Sequence, residues 1–151
     1  MLRNTVFLLL LIFTSALSFS QVKLMDNGVA KEEKYFTNGA LKELGYYKNG
    51  IKTGKWVEYY ENGRKKSVKY FDTGGIPDGK WTFWYDTGQK WNTVAYNSGK
   101  IDGTWIYWYK NGAKWHQLSY TEGEMAGRWA FWHENGKINQ RGKYKEDTLK
   151  G

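Results

Sequence analysis

The stretch GKWVEYYENG spans Gly54 to Gly63, and close copies of it begin at Gly79, Gly103 and Gly127. The copies read GKWTFWYDTG, GTWIYWYKNG and GRWAFWHENG, so the period is 25, then 24, then 24 residues. A degenerate earlier unit, KEEKYFTNGALKELGYYKNGIKTG, occupies residues 31–54. Self-similarity at a fixed period indicates a repeat array, here of about five units of 24 residues.

Each unit has the composition of a β-hairpin. The runs WVEYY, WTFWY, WIYWY and WAFWH are rich in aromatic and branched residues, which favour a pleated surface. Each run is followed by a turn pair: Asn62-Gly63, Thr87-Gly88, Asn111-Gly112 and Asn135-Gly136. Asn-Gly supplies the positive φ angles that a tight hairpin turn needs. The second run of each unit ends in an aromatic residue, and a glycine-bearing connector leads to the next unit.

The repeats predict an all-β fold, an elongated antiparallel meander of about ten short strands. Alternation of side chains places Trp56, Trp81, Trp105 and Trp129 on one face of this sheet. We expect this row to form the core, because the glycine that precedes each of these tryptophans lets backbones approach closely. Alternation places a second aromatic row on the opposite face, and this row is the candidate binding surface: Tyr59, Trp84, Trp108 and Trp132.

The first 20 residues have the layout of a secretory signal peptide. Arg3 precedes an apolar run from Thr5 to Leu17, and small residues follow, so cleavage is expected before Gln21. The prediction is therefore a signal peptide at 1–20, a linker at 21–30 and a repeat domain at 31–151. The mature protein would be extracytoplasmic, whether periplasmic, envelope-associated or secreted.

The pattern G-K-W-x-x-Y/W-Y-x-N-G, with an aromatic residue eight positions later, resembles the MORN-repeat variant. The segment LKELGYYKNGIKTGKW, residues 41–56, is similar to the repeats of YwqK-type antitoxins, and INQRGKY, residues 138–144, follows the same pattern. The middle units depart from it, with Trp91 and Trp115 in the second strand. The resemblance implies a scaffold that binds a partner, and the antitoxin relation implies that the partner is a toxin. A looser similarity to choline-binding and cell-wall-binding repeats implies aromatic cages.

The sequence offers no constellation of catalytic or metal-ligating residues, so we expect neither enzyme activity, metal nor cofactor. Cysteine is absent, His116 and His133 stand alone, and the acidic residues recur at turn positions instead of converging. The formal net charge is +8, but the lysines are interspersed with acidic residues and the protein is expected to be exported. A nucleic-acid partner is therefore not expected.

Three functions of a non-enzymatic exported scaffold remain open. The first is binding of a protein partner, in an antitoxin-like or immunity-like role. The second is binding of carbohydrate or another cell-envelope component by the row Tyr59, Trp84, Trp108 and Trp132. The third is attachment to an anionic lipid surface through the lysines.

Overall fold

The computed structural model describes residues 18–25 and 28–144, and their strands form one open antiparallel sheet. The thirteen strands are β1 (Ser18–Leu24), β2 (Val29–Phe36), β3 (Leu41–Lys48), β4 (Ile51–Tyr59), β5 (Lys65–Phe71), β6 (Gly79–Trp84), β7 (Lys90–Asn97), β8 (Lys100–Ile101), β9 (Gly103–Trp108), β10 (Lys114–Thr121), β11 (Glu124–Met125), β12 (Gly127–Trp132) and β13 (Ile138–Tyr144). Neighbours in the sheet are neighbours in the chain, with β8 beside β7 and β11 beside β10. The predicted all-β meander is confirmed.

The structure has three strands more than the ten expected, and each has a local cause. Strand β1 pairs with β2 along its whole length, from Ser18↔Phe36 to Leu24↔Ala30. The first four residues and the last two of the predicted linker at 21–30 lie in strands. Strands β8 and β11 are the first parts of two longer strands, interrupted before Gly103 and Gly127. Of the predicted signal peptide, residues 1–17 lie outside the described residues.

The glycines that open the repeats take a left-handed backbone. Their φ angles are 64° at Gly54, 75° at Gly79, 102° at Gly103 and 76° at Gly127. A Cβ atom at Gly103 or Gly127 would meet its neighbours only at ordinary van der Waals distance. The expectation that these glycines permit a close approach is therefore wrong, because backbone conformation is what requires glycine there.

Two kinds of turn alternate along the array. Between β4 and β5, Tyr60 N–H donates to Arg64 O and closes a turn of three residues, of which only the last, Gly63, has a positive φ. The tight two-residue turns, with positive φ at both positions, instead occupy the connectors Asn49-Gly50, Ser98-Gly99 and Glu122-Gly123. The assignment of the tight turns to the Asn-Gly pairs inside the repeats was wrong, although those pairs do mark turns.

The long unit accommodates its extra residue in a connector. Between β5 and β6 the chain makes a three-residue turn in which Asp72 N–H donates to Ile76 O. The Oδ1 atom of Asp72 accepts hydrogen bonds from the N–H groups of Gly74 and Ile76. This aspartate satisfies the turn's backbone, so the insertion does not disturb the strand pairing.

The sheet has two faces, which we name by their chemistry. The packing face carries Trp56, Trp81, Trp105 and Trp129, and the basic face carries the row Tyr59, Trp84, Trp108 and Trp132. Buried side chains lie on both faces of the sheet. The most buried apolar side chains are Trp56, Val57, Val68, Val94 and Tyr120.

No helix in the described part of the chain has the length and apolar character needed to cross a membrane.

Candidate functional site

The packing face is held together by contacts between tryptophan and the aromatic residue that ends each repeat. Trp81 lies between Phe71 of the preceding hairpin, at 5.1 Å, and Tyr96 of its own hairpin, at 4.8 Å between ring centroids. Trp56 makes an edge contact with Tyr47 at 5.0 Å. Trp56 is 3 % exposed, whereas Trp81 and the other two tryptophans of this row are half-buried. The row expected to be core therefore does pack, but only its first member is fully covered.

The N-terminal part of the packing face is polar. Lys34 Nζ lies 2.8 Å from Glu43 Oε1 and 3.1 Å from Glu32 Oε2, and Lys69 Nζ lies 2.7 Å from Glu58 Oε1. Burial alone would lower the pKa of Lys34, but its bonds to the two carboxylates outweigh burial and raise it. Burial opposes ionisation of Glu58, yet the hydrogen bond from Lys69 lowers its pKa. These groups are paired with one another, so this part of the face is a structural network.

The C-terminal part of the packing face is an aromatic cluster with two exposed indoles. Trp91 and Trp115 are 40 % and 44 % exposed, and each makes an edge contact with Tyr107, which lies between them, at 6.0 Å. Trp115 also lies 4.8 Å from the ring of His116, and His116 lies 4.3 Å from Tyr107. We call these four residues the indole cluster.

Regular β-bulges place these indoles on the packing face. The register shifts between Phe83 and Trp84, so Trp91 is an extra residue opposite that pair, and its ring lies 5.9 Å from Phe83. Counted back from Asn92, which lies on the packing face, strict alternation would put Trp91 on the basic face. In the sequence, Trp91 and Trp115 stand out only as departures from the repeat pattern. Their place on this surface was not predicted, because a bulge is not visible in one strand read alone.

His116 belongs to the indole cluster as a neutral group. Burial lowers its pKa below the ordinary histidine value, and its buried Nδ1 atom has no hydrogen-bond partner among the described residues. Its neighbours are the rings of Tyr107, Trp115 and Phe131. Among the described residues no group of three or more potential ligands could hold a metal ion.

The candidate binding row lies on the basic face in regular alternation with lysine. Within each hairpin Tyr59 pairs with Lys65, Trp84 with Lys90, and Trp108 with Lys114, and the row ends at Trp132. The four rings are half-buried and make no ring–ring contact with any described residue. Lys114 Nζ lies 5.4 Å from the ring of Trp132, so this ammonium group reaches the indole of the next hairpin. The four predicted site residues therefore form one row, although they are not fully exposed.

The turn edge of the sheet connects successive hairpins by a repeated hydrogen bond. Tyr60 Oη donates to Trp84 O at 2.7 Å, Tyr85 Oη to Trp108 O at 2.9 Å, and Tyr109 Oη to Trp132 O at 3.0 Å. Each bond joins a residue of one hairpin to the carbonyl of a row member in the next. The backbone positions of Trp84, Trp108 and Trp132 are thereby fixed relative to one another.

Comparison with family models decides the classification. The model described as "MORN repeat variant" matches residues 29–49, 52–73, 77–98 and 125–146, together more than half of the chain. The chain belongs to the MORN repeat variant family. Each matched segment contains one hairpin with its three-residue loop. No curated protein matches the chain in sequence.

The part of the chain between the third and fourth MORN matches has the same structure as its neighbours. Residues 99–124 contain β9 and β10, which form a hairpin with a bulge between Lys114 and His116, as in the matched repeats. This hairpin also keeps the tyrosine hydrogen bond to the next repeat, donated by Tyr109. The array therefore consists of five MORN-like hairpins, and the relation to YwqK-type antitoxins remains a prediction.

Proposed function

We propose that the chain is a non-enzymatic, exported scaffold that binds a protein partner on the packing face. The observation that supports this most is the indole cluster, where Trp91 and Trp115 are 40 % and 44 % exposed on either side of Tyr107. Aromatic residues are enriched at the centres of protein interfaces, where they supply most of the binding energy. An antitoxin-like or immunity-like role would make the partner a toxin that this surface neutralises.

Site-specific photo-crosslinking in the source cells tests this proposal. A benzoylphenylalanine at position 115 should crosslink one protein, and the same probe at Ile138, which is 51 % exposed outside the indole cluster, should not. The double variant W91A/W115A should lose the same partner in co-purification. Equal crosslinking at both positions would contradict a specific surface.

If the partner is a toxin, co-expression of this chain should restore growth to cells that produce it.

Export is proposed from the sequence of residues 1–20, and N-terminal sequencing of the mature protein tests it. Cleavage before Gln21 would remove Ser18 to Ser20, the first three residues of β1, and would leave Gln21 to Leu24 to pair with β2. A mature protein that still begins at Met1 would contradict export by this route.

A second function, binding of carbohydrate, is favoured by the basic face. Its rings lie apart from one another and alternate with lysine along the row Tyr59, Trp84, Trp108 and Trp132. Row members on successive hairpins are about 10 Å apart, because one strand lies between them and interstrand spacings are close to 4.8 Å. This spacing suits a ligand made of repeated units.

Titration with soluble polysaccharides, followed by tryptophan fluorescence, tests the second function. The variant W84A/W108A should lose the response, whereas W91A/W115A on the packing face should keep it. An unchanged spectrum of the wild-type protein with every polysaccharide would contradict this function and leave the protein-binding proposal standing.

A further inference from the structure

The basic face ends in a groove between β10, β12 and β13. Its volume is about 590 Å³. The side chains on this face that line it are Gln117, Arg128, Ala130, Trp132, Arg141 and Lys143. Trp132, the last member of the aromatic row, forms part of its wall, so the groove continues the row.

Three cations converge on this groove, and no described acidic residue lines it. Arg128 and Lys143 are register partners on β12 and β13, and Arg141 stands two residues before Lys143 on the same face. None of the three forms an ion pair within the described part of the chain. A concave surface lined by one sign of charge focuses the electrostatic potential. The planar guanidinium group of arginine binds a carboxylate through two hydrogen bonds.

The cationic character extends along the basic face from β4 to β13. In the eight longer strands from β4 onward the only acidic residue is Glu58, which lies on the packing face in an ion pair with Lys69. The basic face of the same strands carries eight cations: Lys55, Lys65, Lys80, Lys90, Lys114, Arg128, Arg141 and Lys143. Apart from Glu124 in the two-residue strand β11, the other acidic residues of this region are at the turns and connectors. Charge is therefore largely segregated between the long strands and the edges of the sheet.

We propose that the basic face binds an acidic polysaccharide, with carboxylate groups of the polymer in the groove of Arg128, Arg141 and Lys143. Its sugar rings would lie across Trp132 and Trp108, because the partly positive C–H groups of a sugar pack against the negative face of an indole. The lysines between the rings would meet the carboxylates of successive sugars. This inference rests on the second proposed function, whose ligand class it names.

The geometry favours this polymer over the other common polyanions. Rings about 10 Å apart are too widely spaced to stack on consecutive bases of a nucleic acid, whose units are about 3.4 Å apart along a duplex strand. A protein that binds a planar lipid surface inserts projecting apolar side chains into it. Here the rings are half-buried between lysines, and the cations line a concave groove. A flexible chain with alternating rings and charges matches both the row and the groove.

Calorimetric titration of the full-length protein tests the proposal with sodium polygalacturonate as the probe. Fully methyl-esterified polygalacturonate, which keeps the sugar rings without the charge, should bind at least tenfold more weakly. Polyglutamate, which keeps the charge without the rings, should also bind at least tenfold more weakly.

The variant R128Q/R141Q should lose at least tenfold in affinity for polygalacturonate. The matched variant K42Q/K66Q removes two charges from lysines whose ammonium groups lie over Phe36 and Tyr60, and it should stay within twofold.

Several results would overturn the inference, and one of them would spare the function on which it rests. Equal losses of affinity for polygalacturonate in R128Q/R141Q and K42Q/K66Q would indicate that net charge alone determines binding. If polyglutamate binds as tightly as polygalacturonate, the aromatic rings have no role in binding. Tighter binding of single-stranded DNA or of phosphatidylglycerol vesicles would assign the face to another polyanion.

If the esterified polymer binds as well as the acid and W84A/W108A abolishes both, carbohydrate binding stands and the acidic ligand is wrong. If no polysaccharide binds, both fail. Circular dichroism of each variant confirms that it is folded.

Discussion

At the scale of single residues, Gly45 shows how the packing face accommodates an indole. The ring of Trp56 lies directly over this glycine of β3, so an added Cβ atom would overlap ring atoms of Trp56. Trp56 also donates a hydrogen bond from Nε1 to Tyr46 O at 3.2 Å, which holds the ring in place. The glycine is therefore required by contact and not by its backbone angle.

The substitution Gly45→Ala should lower the free energy of unfolding by about 1–3 kcal/mol, the usual cost of overpacking a close contact. Gly74→Ala is the matched control, because a Cβ atom there would meet Asp72 Oδ1 at an ordinary 3.4 Å. The control should stay within about 0.5 kcal/mol of wild type. Urea unfolding followed by circular dichroism measures both, and equal stability of the two variants would contradict the contact.

His116 predicts a pH dependence of stability. Burial lowers its pKa in the folded protein, so the unfolded chain binds the proton more readily. Its contribution to stability is therefore fully present above the ordinary value of 6.5 and is lost as the pH falls below it. Urea unfolding at pH 7.5 and pH 5 should show a smaller loss of stability in His116→Phe than in wild type. An equal loss in the two proteins would contradict a neutral buried imidazole.

The row of candidate binding residues could be predicted from the sequence, whereas the indole cluster could not. Alternation within one strand correctly placed Tyr59, Trp84 and their equivalents on a common face. Trp91 and Trp115 lie in the second strand of each hairpin, beyond a loop and a bulge that shift the alternation by one residue. The bulge is a property of how two strands pair, so neither strand read alone reveals it.

At the scale of elements, the same dipeptide serves two turn geometries. Asn49-Gly50 has positive φ at both positions, whereas in Asn62-Gly63 only the glycine does. The difference lies in the length of the turn. Lys48 pairs with Ile51, so the first turn contains only Asn49 and Gly50, whereas the hydrogen bond from Tyr60 N–H to Arg64 O encloses three residues in the second. Local sequence therefore predicted where the chain turns, but the pairing of the strands determined which turn is formed.

The repeated tyrosine hydrogen bond predicts how firmly neighbouring hairpins are joined. Tyr85→Phe removes the donor to Trp108 O and leaves the ring in place, so it should lower the free energy of unfolding by about 0.5–1.5 kcal/mol. His133 occupies the equivalent position in the last hairpin, is exposed and donates no side-chain hydrogen bond among the described residues. His133→Phe should therefore change stability by less than about 0.5 kcal/mol. Thermal melting of both variants checks this, and a larger effect at position 133 than at 85 would contradict it.

At the scale of the whole molecule, stacking of hairpins produces a sheet with two different surfaces. One face uses its aromatic rings against one another, and the other holds its rings apart with cations between them. The repeat sequence predicted the meander, because each unit carries its own turns and its own pair of strands. The segregation of charge was not evident in the sequence. Lysines alternate with apolar residues along each strand and acidic residues occupy the turns, so positive and negative residues look mixed along the chain.

Neighbouring hairpins pair in one register to form the continuous sheet, and an engineered disulfide tests this pairing most directly. The chain has no cysteine, so a pair can be introduced without competing thiols. Gln117 of β10 is the register partner of Ala130 of β12, across the boundary between two repeats. The variant Q117C/A130C should oxidise in air to a disulfide in the folded protein, while Q117C/F131C, whose side chains point to opposite faces, should keep free thiols. Free thiols in the first variant, or a disulfide formed as readily in the second, would contradict a continuous sheet in this register.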